Sequence, residues 1–489
     1  MNILILNAPV ENPIVVNRSP DQLGEGFIEV DDFGYFPPLG ALYVLSYLEK
    51  HSVGHNLFFK DCVAEKISHK GLEGVIRQIN PDIVGITSFT LSLYDIIISA
   101  QTIKKIVPNA HICLGGHHPT AFPYEAAQLK EFDSIVVGEG ETAFCELVKA
   151  ISQNLDITNI RGVYTCESIK RFKGEEYKDN RFINNVIVQP AYIEDIDTIP
   201  IPNRSYIQHI NYQSILGVTD KLATIISSRG CPYRCTFCDV PYKQYRKRSA
   251  KLVVDEIEVC LSMGYKEFHF YDDLFNITPS RVIEICAEIE RRGLKFPWDF
   301  RGRVNTATFE SLEMAKKMGC RMISFGVETG TNAGLKALQK RTTVEKIREV
   351  FNWCKKLGIK TVADYMIGLP FEKTKEDVLA SIDFLIEIDP DYANINVLNL
   401  YPHTTLFEEA AKKGLIQPQR WDEFALKPSR NFKIDHWEEF FTPDELASLR
   451  KTAYLRFYLR FAYILKSVLS TRSFYEFKTK VKGAIKLVI

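Results

Sequence analysis

No apolar run in this chain approaches the roughly 18–20 residues that a membrane-spanning helix needs. The amino terminus, Met1-Asn2-Ile3-Leu4-Ile5-Leu6-Asn7, lacks the basic region that opens an export signal and reads as a first strand. Charge of one sign is missing too. The 61 Lys and Arg balance 61 Asp and Glu, so the basic footprint of a nucleic-acid binder is absent. Cysteine is sparse, 11 in 489 residues, which is too few for a disulfide scaffold; without an export signal these read as thiols. What is present is a hydrophobic share of 46%, ample for real cores and incompatible with wholesale disorder. At about 100–200 residues per domain, the length suggests about three domains. The expectation is a cytoplasmic, multidomain protein.

Residues 1–152 alternate short apolar runs with amphipathic stretches. Strands are expected at Asn2–Ala8, His55–Asp61, Ile83–Phe89, Ala110–Gly116 and Ser134–Gly140, with helices near Leu39–Lys50, Lys66–Ile79, Leu93–Ile106, Thr120–Glu131 and Glu141–Gln153. Continuous apolar strands joined by helical crossovers predict an α/β fold, a doubly wound flavodoxin-like parallel sheet whose ligands sit beyond the carboxyl ends of the strands. Residues 153–215 lose the rhythm and read as a linker with a small hairpin, marked by Pro200 and Pro202. Over 216–415 a second series begins, with strands at Leu222–Arg229, Glu267–Asp273, Pro297–Val304, Met322–Glu328, Thr361–Gly368 and Ala393–Tyr401. Six βα units predict a partial (β/α)6 barrel with its chemistry at the carboxyl ends. Residues 416–489 form an aromatic, helical carboxy-terminal extension.

The strongest signal is Arg229-Gly230-Cys231-Pro232-Tyr233-Arg234-Cys235-Thr236-Phe237-Cys238, three cysteines spaced C-x3-C-x2-C in the loop after the first strand of the second series. Three thiolates on one short loop can converge on a metal centre, and soft sulfur selects zinc or an iron–sulfur cluster. Structural zinc wants a fourth Cys or His at a suitable spacing. None follows locally; the next cysteine, Cys260, falls inside an expected helix. A three-thiolate [4Fe–4S] cluster instead leaves one iron open to a ligand. A non-catalytic zinc-binding module is the alternative from another class.

This stretch resembles the signature loop of the radical S-adenosylmethionine (SAM) superfamily, including the aromatic Phe237 before the third cysteine. The resemblance implies that Cys231, Cys235 and Cys238 hold the cluster and that Phe237 lies near the adenine of SAM. Phe270-Tyr271-Asp272-Asp273 is similar to the segment that contacts the SAM amino group. Phe325-Gly326-Val327-Glu328-Thr329-Gly330 is similar to the strand-four end, and Tyr365-Met366-Ile367-Gly368-Leu369-Pro370 to the adenine-lining strand five. Asp272, Asp273, Glu328 and Gly368 are thus candidate SAM contacts, and Glu328 needs a partner that SAM or Arg303 could provide. On their own, the aspartates read equally as helix caps.

Residues 1–150 resemble the cobalamin-binding domain that precedes one branch of these enzymes, carried by Gly115-Gly116-His117-His118-Pro119-Thr120 and Val136-Val137-Gly138-Glu139-Gly140-Glu141. The paired glycines would let a bulky tail pass close to the backbone. Candidate cobalamin contacts are Asp61, Thr87, Ser88, Gly115, Gly116, Glu139 and Gly140. A plain nucleotide-binding domain would want G-x-G-x-x-G after strand one, where Asn7-Ala8-Pro9 stands instead. The Asp-x-His-x-x-Gly motif that supplies a lower cobalt ligand is also absent, since Cys62-Val63-Ala64-Glu65 follows Asp61. His117 and His118 are read as solvated or hydrogen-bonded, not ligating. Cys62, Cys113, Cys145 and Cys166 read as buried small hydrophobes, without support for a second cluster.

The resemblance implies three cofactors: a [4Fe–4S] cluster, SAM and cobalamin. It implies cleavage of SAM to a 5′-deoxyadenosyl radical and methylation of an unactivated carbon in a small-molecule or lipid substrate, with electrons from a flavodoxin or ferredoxin. The alternative on the same scaffold is a cyclase, ring-contracting or oxidising enzyme without methyl transfer. One segment stands apart: Arg450–Ile489 carries ten Lys or Arg and one acid, Glu476, or +9 in 40 residues. Bases at Arg456, Arg460 and Lys466 among aromatics suit a helix lying on the inner face of an anionic membrane. The preferred alternative is a helix packed on the barrel.

Overall fold

Ile3, Leu4, Ile5 and Leu6 are all buried because the first strand lies between two helical layers. The computed structural model describes residues 1–12, 14, 34–172, 190–214 and 216–469. Its first sheet contains β1 (Asn2–Asn7), β2 (Asn56–Asp61), β3 (Ile83–Ser88), β4 (His111–Gly116), β5 (Ser134–Val136) and β6 (Val163–Tyr164). Their order is β2-β1-β3-β4-β5-β6; the first five run parallel and β6 is antiparallel. This is the flavodoxin-like winding expected. Alternation along β1 feeds both faces. Leu4 and Leu6 pack with α2 (His69–Ile79) and α3 (Leu93–Ile106), while Ile3 and Ile5 pack with α1 (Leu39–His51) and α4 (Gly140–Ser152).

Two helices of the first domain differ from the sequence reading, and some strands are shorter than expected, β5 ending at Val136 and not at Gly140. The helix expected over Thr120–Glu131 is replaced by short helices His117–Ala121 and Pro123–Ala127, because Pro123 cannot continue the first helix but can open the second. The helix expected from Lys66 starts at His69, where Ser68 caps it by accepting from the Gly71 amide. Within 153–215, Val163–Tyr164 extends the sheet, and Ile193, Ile196, Ile199 and Ile207 are buried against the α1 side. Residues 173–189, inside that stretch, lie outside the described residues.

The second sheet takes β7 (Leu222–Ile225), then β10 (Glu267–Phe270), β11 (Trp298–Gly302), β12 (Cys320–Glu328), β13 (Lys360–Ile367) and β14 (Tyr392–Val397); between them a short ladder pairs β8 (Ser228–Arg229) with β9 (Arg246–Lys247). The order is β14-β13-β12-β11-β10-β7, all parallel, and β7 and β14 do not pair with each other. It is the open, six-stranded partial barrel. Helices α5 (Ala250–Ser262), α6 (Pro279–Arg291), α7 (Phe309–Lys317), α8 (Val344–Leu357) and α9 (Lys375–Glu387) cover its outside, on a core that includes Phe268, Phe270, Trp298, Phe300 and Phe325. Each follows local rules. Thr343, for example, caps α8 by accepting from the Lys346 amide, and Gly358 ends it in a left-handed conformation.

The carboxy-terminal helices α10 (Pro443–Tyr458) and α11 (Phe461–Leu469) lie along the free edge of β14. There the Tyr458 hydroxyl accepts from the Ala393 amide at 3.0 Å and donates to its carbonyl at 2.9 Å. Tyr454 accepts from the Ile395 amide at 3.0 Å, and Tyr463 donates to the Asp391 carbonyl at 2.8 Å. Arg456 reaches Asp383 at 2.6 Å and Lys466 reaches Asp389 at 3.3 Å. The described part of the basic tail is therefore a cover for an exposed strand edge, which lends no support to membrane association; residues 470–489 lie outside the described residues. Among the described residues, no helix is long and apolar enough to cross a membrane.

Candidate active site

The cysteine loop leaves the barrel at β8 and returns at β9, so this short ladder closes its base. Gly230 opens it with φ +82°, and a Cβ there would lie 2.3 Å from the Gln244 carbonyl oxygen. Only glycine fits this turn. Asp273 braces it by accepting from the Gly230 amide at 3.0 Å. Asp272 binds the neighbouring backbone, accepting from the Ser227 amide at 2.7 Å and from the Ser227 and Ser228 hydroxyls at 2.6 Å each. Both aspartates thus hold the strand end that carries the cysteines. Further along, the Thr236 amide donates to the Leu338 carbonyl at 3.3 Å, and the Thr236 carbonyl accepts from the Leu406 amide at 3.0 Å.

Cys231, Cys235 and Cys238 are free and half-buried. Burial pushes the Cys231 thiol up and the Cys238 thiol to about 11, so both need positive charge nearby to become thiolates. Arg303, just beyond β11, approaches Cys235 with Nη1 to Sγ at 3.1 Å. Its backbone is clamped by Asn276, which accepts from the Arg303 amide and donates to its carbonyl, both at 2.8 Å. Three soft donors beside a guanidinium fit an anionic iron–sulfur cluster better than a closed zinc site. Among the described residues, no three His, Cys, Asp or Glu side chains already stand in metal-holding geometry.

Glu328 is buried at the end of β12 with φ +70°. Burial raises its pKa, and its partner is Lys340 at 2.8 Å, not Arg303. Lys340 Nζ also stands 5.8 Å from the centre of the Phe237 ring, so Phe237, Lys340 and Glu328 form one row. Gly368 follows β13 with φ +73°, and Glu372 behind it accepts from the Leu369 amide at 2.9 Å. The outlying cysteines divide: Cys62, Cys113 and Cys145 are buried as expected, whereas Cys166 is exposed, lying in a turn outside the strand and helix cores.

In the first domain the expected contacts take several roles. Asp61 is buried, accepting from Tyr212 and Asn7 at 2.8 Å each. Ser88, next to Thr87 at the end of β3, donates to the Gly115 carbonyl at 2.7 Å. A Cβ on Gly116 would meet the Ser88 backbone at 2.7 Å and one on Gly140 would meet Val44 at 2.9 Å, whereas at Gly115 the nearest atom is 4.0 Å away. Gly115 alone of these leaves open room. Phe89, beside it, is 62% exposed and stacks on His117 at 4.8 Å. An open glycine and an exposed aromatic pair at strand ends fit a large planar ring. His118 is buried, with Nδ1 3.3 Å from the Thr90 hydroxyl.

Glu139 turns toward the barrel. Its carboxylate accepts from Arg229 at 2.9 Å, from both terminal nitrogens of Arg246 at 2.9 Å and from the Ile193 amide at 2.6 Å. Burial would raise its pKa; Arg246 and Arg229 overcome that and hold it below the usual carboxylate range. Arg229 also pairs with Glu141. Both ends of the cysteine loop are thereby fastened to the carboxyl end of the first sheet. The sequence reading missed Arg229, Arg246 and Lys340. Two arginines bracketing a cysteine loop are a visible signal, but their acid is remote in sequence.

Comparisons with known proteins agree with this layout. The B12 binding domain family matches residues 32–148 and the radical SAM superfamily residues 225–385. An uncharacterized methyltransferase of Pyrococcus horikoshii is 30% identical over 457 residues, covering 92% of this chain and 94% of its own. The anaerobic magnesium-protoporphyrin IX monomethyl ester cyclase of Cereibacter sphaeroides is 32% identical over 389 residues, 77% of this chain and 60% of its own. Among solved structures, the radical SAM methyltransferase TsrM of Kitasatospora setae, with cobalamin and a [4Fe–4S] cluster bound, superposes with a TM-score of 0.70 at 18% identity, covering 99% of this chain and 98% of its own. The chain belongs to the radical SAM superfamily, in its cobalamin-binding branch, and is an enzyme whose cofactors are a [4Fe–4S] cluster, S-adenosylmethionine and cobalamin.

Proposed function

We propose that the enzyme transfers a methyl group to an unactivated carbon of a small-molecule substrate. The observation that carries this reading is the likeness, over 92% of the chain, to a relative named as a methyltransferase; the Glu139 junction supports it by fixing the carboxyl ends of both sheets toward each other. The cysteine loop and the open strand ends at Phe89 and Gly115 would then border one shared space. When bound, the cofactors supply one-electron cleavage of SAM, hydrogen abstraction and the methyl group. The chain's own residues position and enclose. Cys231, Cys235 and Cys238 offer the thiolates, and Arg303 offsets their charge. Asp273 and Asp272 keep the loop base in place. The row Phe237, Lys340 and Glu328 would line the SAM side, with Gly368 beyond it. Phe89, Gly115 and His117 would line the cobalamin side. Electrons would come from outside the chain, from a flavodoxin or ferredoxin.

The test is product mass after anaerobic turnover with SAM. Gain of one methylene supports methyl transfer. Loss of hydrogen, or rearrangement without added carbon, contradicts it and favours a cyclase, the activity named for the Cereibacter sphaeroides relative.

A further inference from the structure

Strand parity sorts the side chains of the barrel sheet. Phe268 and Phe270 of β10, Trp298 and Phe300 of β11 and Phe325 of β12 are buried toward the helices, so the alternate positions face the hollow. Those positions are polar, and their carboxylates are engaged. Asp299 meets His269 and, at 2.6 Å, Arg321. Asp364 accepts from Ser324 at 2.7 Å and from Asn394 at 3.0 Å. Arg301 differs. Among the described residues no carboxylate stands within ion-pair distance of it, and its guanidinium rests on the Tyr271 ring, 5.1 Å from the centre. It is exposed, and it lies two residues, about 6.6 Å of strand, further into the sheet than Arg303, the arginine that reaches Cys235. Arg301 therefore faces the hollow, two residues before the arginine that reaches the cysteine loop. Phe36, from the first domain, places its ring 5.9 Å from both His269 and Tyr271 and closes an aromatic wall on that side.

We propose that Arg301 receives an anionic group of the methyl acceptor, a carboxylate or a phosphate, so that the substrate is a polar anion and not an apolar lipid. The inference rests on the reading that this enzyme methylates a molecule held in the barrel. The hollow favours an anion because its carboxylates already have partners while one guanidinium does not. A planar fork of donors matches either oxyanion through two parallel hydrogen bonds, which a lysine cannot reproduce. The polar face around it would leave an apolar lipid opposite unsatisfied groups. Losing such a charge-assisted bond weakens binding about tenfold to a hundredfold.

The experiment uses reconstituted full-length holoenzyme, SAM carrying a trideuteromethyl group, and an extract of the native cells. The extract is split into anion-exchange-retained, cation-exchange-retained, neutral and solvent-extracted lipid fractions. The expected result is labelled product from the anionic fraction alone. Its yield at limiting substrate should fall about tenfold or more in Arg301→Gln and recover in part in Arg301→Lys. Iron content and visible absorbance report whether each variant has folded and loaded. Phosphatase treatment of the anionic fraction separates the two sources: lost label identifies a phosphate, retained label a carboxylate. Label in the neutral, cationic or lipid fraction instead overturns the inference and leaves methyl transfer standing. Equal yields from wild type and a fully loaded Arg301→Gln overturn it as well. Absence of label from every fraction, while 5′-deoxyadenosine accumulates, overturns the methyl-transfer reading and this inference with it.

Discussion

At Cys231 and Cys238 burial works against ionisation, and the loop needs the charge of a bound centre and of Arg303 to hold thiolates. Replacing any one of Cys231, Cys235 or Cys238 by Ala should remove most iron and the broad absorbance near about 400 nm. Replacing Cys260 should leave both intact; it is fully buried in α5, where burial lifts its thiol to about 12. Iron analysis and absorbance of the purified variants check this. Glu372 gives a pH signature. Burial pushes its carboxyl up to about 7 against the amides of Leu369 and Gly368, and one carboxyl oxygen has no hydrogen-bond partner. A folded pKa above the unfolded one stabilises the fold fully below about pH 4.5, and that contribution is lost as pH rises toward 7. Glu372→Gln should therefore match wild type near pH 4.5 and gain on it by up to about 3 kcal/mol above pH 7. Denaturation midpoints across that range measure it.

The ladder of β8 with β9 shows how a small element carries a large demand. Removing Glu139 leaves the Arg246 guanidinium buried without its acid and Arg229 with Glu141 alone, and breaking such a buried pair costs about 3–5 kcal/mol. Glu139→Ala should expose the amides of residues 230–245 to faster hydrogen exchange than the rest of the barrel. Unchanged protection there would contradict the clamp. On the opposite side of the barrel, Tyr458→Phe strips the Ala393 amide and carbonyl of their partner, at about 1–3 kcal/mol. The strands and helices are legible in the sequence because their cause is local: continuous apolar runs, a cap such as Thr343, a stop such as Gly358. The cysteine loop is legible for the same reason. The partners are not. Arg229 meets Glu139 across 90 residues and Arg246 across 107, and no periodicity encodes such pairs. The tail admits two readings for a related reason. Its aromatic and basic composition suits a membrane surface, and only the fold shows three tyrosines meeting backbone groups of one strand edge.

The whole chain brings two parallel sheets together by their carboxyl ends, where such folds place ligands. At the open strand ends of the first sheet His118 is buried and His117 is stacked on Phe89. Cob(II)alamin bound to the protein should therefore show no nitrogen splitting from a protein imidazole in electron paramagnetic resonance. A nitrogen triplet that vanishes in His117→Ala would reverse that assignment. The most direct measurement of the account as a whole is made on protein reconstituted anaerobically with iron, sulfide and cobalamin, then reduced in the presence of SAM alone. The expected result is a brown protein with about four iron per chain, bound cobalamin, and 5′-deoxyadenosine that disappears in Cys235→Ala. A colourless, air-stable protein that holds zinc and forms no 5′-deoxyadenosine would contradict it.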